Sequence, residues 1–323
     1  MPHLVTDLGA ILPYPYKGER SERVGPAIRL TRRNARRGDN VSPMLRTSPV
    51  RLLDDRHRDA VMEILDTDPV SNVFVGSRVY GAGVDPSRLG AEVWGFHRGG
   101  RLTSLCYSGA NLVPVAADRE AARHFADRAR SQGRRCSSIV GPVPAVTEMW
   151  NALRPFWGSP RAIRAAQPVM STVSPPTIEP DPAVRRVTMN DFDILYPACV
   201  AMFTEEVGVS PQAGDGGVLY RARVAELIRT RRAFARIEND RVVFKAEIGA
   251  VTPYACQVQG VWVHPDLRGR RYAVHGMAAV VAEALRSIAP AVTLYVNDFN
   301  TPARAAYRRV GFRDVDTFMS VMF

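Results

Sequence analysis

The chain has 323 residues, of which 46% are hydrophobic, enough for ordinary cores and, at roughly 100–200 residues per domain, for two of them. Its net charge of +11 is carried almost wholly by arginine, with Lys17 and Lys245 the only lysines, a skew that fits a GC-rich genome better than a nucleic-acid surface. No apolar run is long enough to span a membrane and no signal-peptide pattern opens the chain, so the expectation is a cytoplasmic protein.

Residues 1–45 show no sustained period and carry the run TRRNARRGDN; they read as a disordered basic tail, or as an over-extended reading frame with Met44 as the true start. From Arg46 the pattern becomes globular. Val50–Leu53 reads as a strand, Asp54/Asp55 cap a helix through Ala60, Val61, Ile64 and Leu65, and Val70–Tyr80 forms a second helix. Glu92–His97 and Leu102–Ser108 are strands around the turn Arg98-Gly99-Gly100, and Leu112–Val115 continues the pairing. Asp118–Arg130 is helical, Ser137–Val140 a strand, Val146–Leu153 a helix and Ala162–Val173 an extended segment. The four cysteines, Cys106, Cys136, Cys199 and Cys256, lie far apart with no C-x-x-C pair, which argues against a metal site or a disulfide framework.

Residues 174–182, SPPTIEPDP, form a linker stiffened by proline. Past it the order repeats. Val184–Val187 is a strand, Phe192–Phe203 and Val218–Thr230 are helices, and Ala233–Glu238 and Arg241–Gly249 are strands joined by Asn239-Asp240. Tyr254–His264 is the next strand, Ala273–Leu285 a long helix, Ala291–Val296 a strand, Asn300–Val310 a helix and Thr317–Phe323 a last strand. The same order in residues 46–173 and 183–323 suggests a diverged duplication.

One junction in the second half carries chemistry. After the strand ending at His264, Pro265-Asp266 stops the ladder and a basic turn, Arg268-Gly269-Arg270-Arg271, leads into the helix. Backbone N–H groups of such a turn and the positive helix N-terminus converge where a phosphate can sit. Farther on stands the run NTPARAAYRRVGF, residues 300–312. With these two motifs, residues 183–323 resemble the GCN5-related N-acetyltransferases. The first is similar to that family's pyrophosphate loop, R/Q-x-x-G-x-G/A, and the second to its N-x-x-A-x-x-x-Y-x-x-x-G-F ending. The first half has neither motif, so the whole resembles an actinobacterial group in which a degenerate domain of DUF4081 type precedes an intact one. The implied fold class is α/β with tandem domains of this family, each a mixed, mostly antiparallel sheet flanked by helices. One position departs from the pattern: Arg271 stands where the loop normally has glycine.

The resemblance implies acetyl-CoA as cofactor, held by Val261, Trp262 and Val263 of the central strand, by Arg268, Gly269, Arg270, Arg271, Tyr272 and Ala273 of the loop, and by Asn300 and Ala303. It implies Tyr307 as the acid for the leaving thiolate. Asn300 also suits a helix cap. Glu247 sits among apolar residues of a strand, where an unpartnered carboxylate costs several kcal/mol; it reads as the general base or as a partner of Lys245 or an arginine. Gln259 could orient a water or contact the acceptor. Glu205 and Glu206 follow the first helix of this half and suit a cationic acceptor, or are a solvated helix end. The reading is direct transfer of acetyl to a primary amine, on a small molecule, a peptide N-terminus or a lysine. The rival is a non-catalytic acyl-CoA-binding or nucleic-acid-associated module. The sequence leaves the acceptor and the oligomeric state open.

Overall fold

A computed structural model of the chain describes residues 48–213 and 216–323. The basic segment expected over residues 1–45, and Met44 within it, lie outside the described residues. The first half supplies β1 (Val50–Leu52), α1 (Arg58–Leu65), α2 (Val73–Ala82), α3 (Pro86–Leu89), β2 (Glu92–Arg98), β3 (Arg101–Ser108), β4 (Asn111–Val115), α4 (Arg119–Gln132), β5 (Ser138–Pro142), α5 (Val143–Trp157) and β6 (Ala162–Thr172). The second supplies β7 (Arg185–Arg186), α6 (Phe192–Val207), α7 (Val218–Arg229), β8 (Ala233–Glu238), β9 (Arg241–Val251), β10 (Cys256–Val263), α8 (Tyr272–Ser287), β11 (Val292–Tyr295), α9 (Thr301–Val310) and β12 (Arg313–Met322).

Several element ends shift by a few residues, α5 spanning Val143–Trp157 and α6 running on to Val207 so that Glu205 and Glu206 fall inside it rather than after it; two further differences have a local reason. The turn α3 is too short to show a period, although Asp85 caps it and Gly90 ends it in the left-handed region. β12 starts at Arg313 rather than Thr317, because its first residues are polar and exposed and show no alternation while still pairing with Ser171 and Met170.

The twelve strands of the described residues form one sheet in the order β1-β2-β3-β4-β5-β12-β6-β11-β10-β9-β8-β7. β12 of the second half lies between β5 and β6, and β6 of the first half lies between β12 and β11. Each half thus completes its arm of the sheet with the last strand of the other. β6 and β12 run antiparallel at the centre, and the arms correspond strand for strand outward from them, with β4–β5 and β10–β11 the parallel pairs. That arrangement is a pseudo-two-fold about an axis perpendicular to the sheet. It keeps corresponding helices on the same face: α1, α2, α6 and α7 on one, α4, α5, α8 and α9 on the other.

On the α8/α9 face of the second arm, Phe244, Val258, Val261, Val263, Met277, Val281, Tyr307 and Phe312 form one core. On the opposite face α6 and α7 close over Ala235, Val242 and Trp262. Gly276 lets α8 lie close to β9, since a Cβ there would come within 2.7 Å of the Phe244 ring. All four cysteines are buried and free. Among the described residues no helix is long and apolar enough to cross a membrane, and no cluster of His, Cys, Asp or Glu could hold a metal ion.

Candidate active site

β10 is buried along its whole length. It pairs with β9 from end to end but with parallel β11 only at Cys256↔Val292 and Gln257↔Thr293. Beyond Gln257 the two strands part, and the far edge of β11 is taken by β6. The sheet therefore splits between the C-terminal parts of β10 and β11. Where it opens, β10 carries a bulge: Gln259 pairs with Glu247 and Trp262 with Lys245, leaving one residue too many between them. Gly260 takes it up at φ +60°, a conformation glycine adopts without a Cβ penalty.

A buried polar cluster sits on the bulge. Lys245, 1% exposed, donates to the Gly260 carbonyl at 3.0 Å and to Glu247 at 3.3 Å, and lies 3.0 Å from the Met202 sulphur. Gln259 donates to the other Glu247 oxygen at 3.0 Å. Burial works against the Lys245 ammonium, but Cys199 and Glu247 beside it more than offset that, and its pKa is raised. Burial pushes the Cys199 thiol up to about 11. Glu247 is thus the counter-charge of Lys245, with both oxygens engaged.

The turn after β10 runs through a short 3-10 turn into the start of α8. His264 caps a single 3-10 turn, accepting from the Asp266 N–H, and also meets Arg241 at 2.9 Å. Arg271 then enters the left-handed region at φ +66° and starts α8, and no side chain caps that helix. The first N–H groups of a helix have no acceptor within it and carry the positive end of its dipole. Arg270 and Arg271 are exposed on the same turn, and Ala273 is buried beneath it. Arg271 keeps the backbone form that glycine would take, at a cost of about 1–2 kcal/mol for an L side chain in that region.

The corresponding junction of the first half is built the other way. Ala116 and Ala117 connect β4 to α4, and Asp118 caps that helix by accepting from the Ala121 N–H at 2.9 Å. The Ala121 N–H and Arg98 hold the Asp118 carboxyl below the usual range, and Arg98 also binds Glu120 at 2.6 Å. A carboxylate already occupies the position a phosphate would take.

The remaining candidate residues lie on α9 and α6. Tyr307 is wholly buried on α9 and meets Phe312 edge-on at 5.9 Å, in the same core as Val261, Val263 and Ala273. Asn300 caps α9, its side chain accepting from the Ala303 N–H at 3.3 Å. On the α6 side, the last turn of that helix carries both acids. Glu205 binds Arg268 at 2.7 Å and accepts from the Trp262 indole at 3.4 Å. Glu206 binds Arg164 at 2.6 Å in a pair only 12% and 5% exposed. In this structure, then, both acids are already paired with arginines.

Arg164 belongs to β6 of the first half, and Arg161, just ahead of that strand, donates to the Val207 carbonyl at 3.0 Å. Gln167 of the same strand is fully buried, accepts from Ser320 at 2.6 Å and donates to Asn297 at 3.0 Å, just ahead of Asn300. Sequence reasoning missed these residues. Polar residues in an apolar strand are a faint signal, and nothing local says that the strand would lie beside β11.

Residues 91–195 match the domain of unknown function DUF4081, and residues 220–312 match the acetyltransferase (GNAT) family. No curated protein sequence matches the chain. Among solved structures, a Drosophila protein superimposes with a TM-score of 0.57 at 13% identity, covering 86% of this chain and 99% of that one. The GCN5-related glucosamine N-acetyltransferase region of a fungal multi-domain GH3 β-N-acetylglucosaminidase gives 0.51 at 12% identity, over 88% of this chain and 39% of that one. A tandem GNAT protein from the clavulanic acid biosynthesis pathway gives 0.48 at 14% identity, over 84% and 98%. At such identities the likeness is one of fold. The chain accordingly carries a DUF4081 domain over residues 91–195, followed by an acetyltransferase domain of the GNAT family over residues 220–312.

Proposed function

We propose that this protein transfers acetyl from acetyl-CoA to a primary amine by direct attack in a ternary complex. The observation that carries the reading is the cationic turn leading into the uncapped N-terminus of α8, at the end of a strand that parts from its parallel neighbour. Such a terminus accepts a diphosphate through backbone N–H groups, and Arg270 and Arg271 add charge-assisted contacts. Acetyl-CoA bound there supplies an acyl group activated as a thioester and a thiolate leaving group.

The protein's own residues supply the rest. Residues 48–173 contribute a wall of the acceptor cleft through Arg164, braced by Gln167 behind it, and residues 183–323 contribute the catalytic machinery. The backbone of Val261–Val263, beside the bulge, stabilises the developing oxyanion. Tyr307 returns a proton to the departing thiolate. Glu247, occupied by Lys245 and Gln259, holds the bulge in place and leaves deprotonation of the amine to water. Asn300 fixes the start of α9 and with it the placement of Tyr307.

Thiol release from acetyl-CoA against a panel of polyamines, aminoglycosides and peptides tests the reading. Acceptor-dependent release is expected. Coenzyme A binding without release across the panel would favour a non-catalytic acyl-CoA-binding module instead.

A further inference from the structure

Arg268 has two claimants. In this structure its guanidinium is held by Glu205 at 2.7 Å and by the Val263 carbonyl at 3.1 Å, with the two charged side chains only 20% and 23% exposed. Arg268 also opens the turn that leads to the N-terminus of α8, so an anion seated there competes with Glu205 for the same charge. Glu205 faces the other way as well. It accepts from Trp262 and lines a groove of about 530 Å³ with Asp193, Asp240, Asp266 and Arg241. Of the charged groups in that groove, Arg241 is bound to Asp266 at 3.2 Å, which leaves the groove net acidic. Its floor is apolar, made by Ile194, Pro197, Ala198 and Val242.

We infer that Arg268 is shared between Glu205 and the cofactor diphosphate, so that cofactor binding unmasks Glu205 as the carboxylate that holds a positive charge on the acceptor. This rests on the acetyl-CoA reading above and adds to it a cationic acceptor class and an order of binding. With the cofactor absent, Glu205 is neutralised by Arg268 and the groove lacks its innermost charge. Once the diphosphate draws Arg268 away, the carboxylate keeps its hydrogen bond from the Trp262 N–H and offers its charge to an ammonium or guanidinium group. Because binding free energies are reciprocal, a cation at Glu205 must then tighten cofactor binding by the same factor.

The test is calorimetric titration of coenzyme A into the full chain, its variants Glu205→Gln and Arg268→Gln, and the double variant. Removing the competing carboxylate should tighten coenzyme A about 2-fold to 5-fold, the range for one partly exposed ion pair. In the Arg268→Gln background the same change should do nothing. Unchanged or weaker binding by Glu205→Gln, or an equal gain without Arg268, overturns the sharing. Lysinamide serves as the cationic probe: its affinity should rise when coenzyme A is present and lose that rise in Glu205→Gln. Lysinamide that binds equally with and without coenzyme A overturns the unmasking. If the unaltered chain fails to bind coenzyme A at all, the cofactor reading itself falls, which is a different result from binding without coupling. Thermal melts of each variant identify any that fail to fold, and Glu205→Ala then replaces Glu205→Gln.

Discussion

Two residues of the second half, Tyr307 and Arg271, carry roles in the proposed reaction that separate by different measurements. Tyr307 is buried with its ring against Phe312, so replacing it by Phe preserves packing and removes one hydroxyl. We expect Tyr307→Phe to lower turnover at least ~10-fold, about 1.4 kcal/mol of barrier, with coenzyme A affinity unchanged in a parallel titration. Unchanged turnover would assign the hydroxyl to structure alone. Arg271 holds φ +66° at the start of α8. Arg271→Gly should therefore raise stability in denaturant by up to ~1 kcal/mol, since relief of the left-handed strain is partly offset by the freedom glycine gains in the unfolded chain. It should also weaken coenzyme A by removing a cation from the loop; a gain in both stability and affinity would deny Arg271 a role at the phosphate. Both positions were legible in the sequence because the motif specifies them by spacing. The sequence left Glu247 and Asn300 with two readings each, because only coordinates show that Glu247 meets Lys245 and Gln259 and that Asn300 caps α9.

At the scale of elements, the bulge of β10 is the part most sensitive to a small change. A methyl on Gly260 would lie 3.0 Å from the Glu247 carboxyl carbon and 3.1 Å from the Lys245 ammonium, on a backbone at φ +60°. Gly260→Ala should cost about 1–2 kcal/mol of stability from the left-handed conformation and lower turnover beyond what that loss explains. Denaturation and steady-state kinetics on the same preparation check this, and a stable variant with full turnover would free the bulge of its role. The extent of most elements followed from period and capping: Ala233–Glu238 spans the strand as read, and Asp118 caps α4 where the sequence placed a helix start. The bulge did not. A strand with one residue too many alternates normally on either side of it, and the shift shows only against its partner β9.

The whole molecule is governed by the exchange of β6 and β12. Gln167 ties both to the loop ahead of α9, and Arg164 ties β6 to the end of α6. Gln167→Leu leaves Asn297 and Ser320 buried without that partner, and we expect a loss of about 2–4 kcal/mol, read from the denaturation midpoint, since each orphaned polar group costs about 1–3 kcal/mol. A protease site placed in the exposed stretch 174–175 and cut after folding should leave two pieces that co-elute on gel filtration. Pieces that separate without denaturant would show that the strand exchange contributes little. The repeat of element order was legible in the sequence and gives the two arms. Which arm each last strand joins was not: Ala162–Thr172 and Arg313–Met322 are ordinary strands, and the choice of neighbour is a long-range pairing that no local pattern encodes.

That exchange has a consequence during synthesis. Domains generally fold in the order in which they leave the ribosome. Here the slot between β5 and β6 belongs to β12, the final element of the order, so the earlier arm waits for residues 313–322 before its sheet is continuous. A chain interrupted anywhere before them leaves strand edges open in both arms at once. A nascent or truncated product therefore presents open strand edges to chaperones and proteases, and the first half completes its sheet only together with the second.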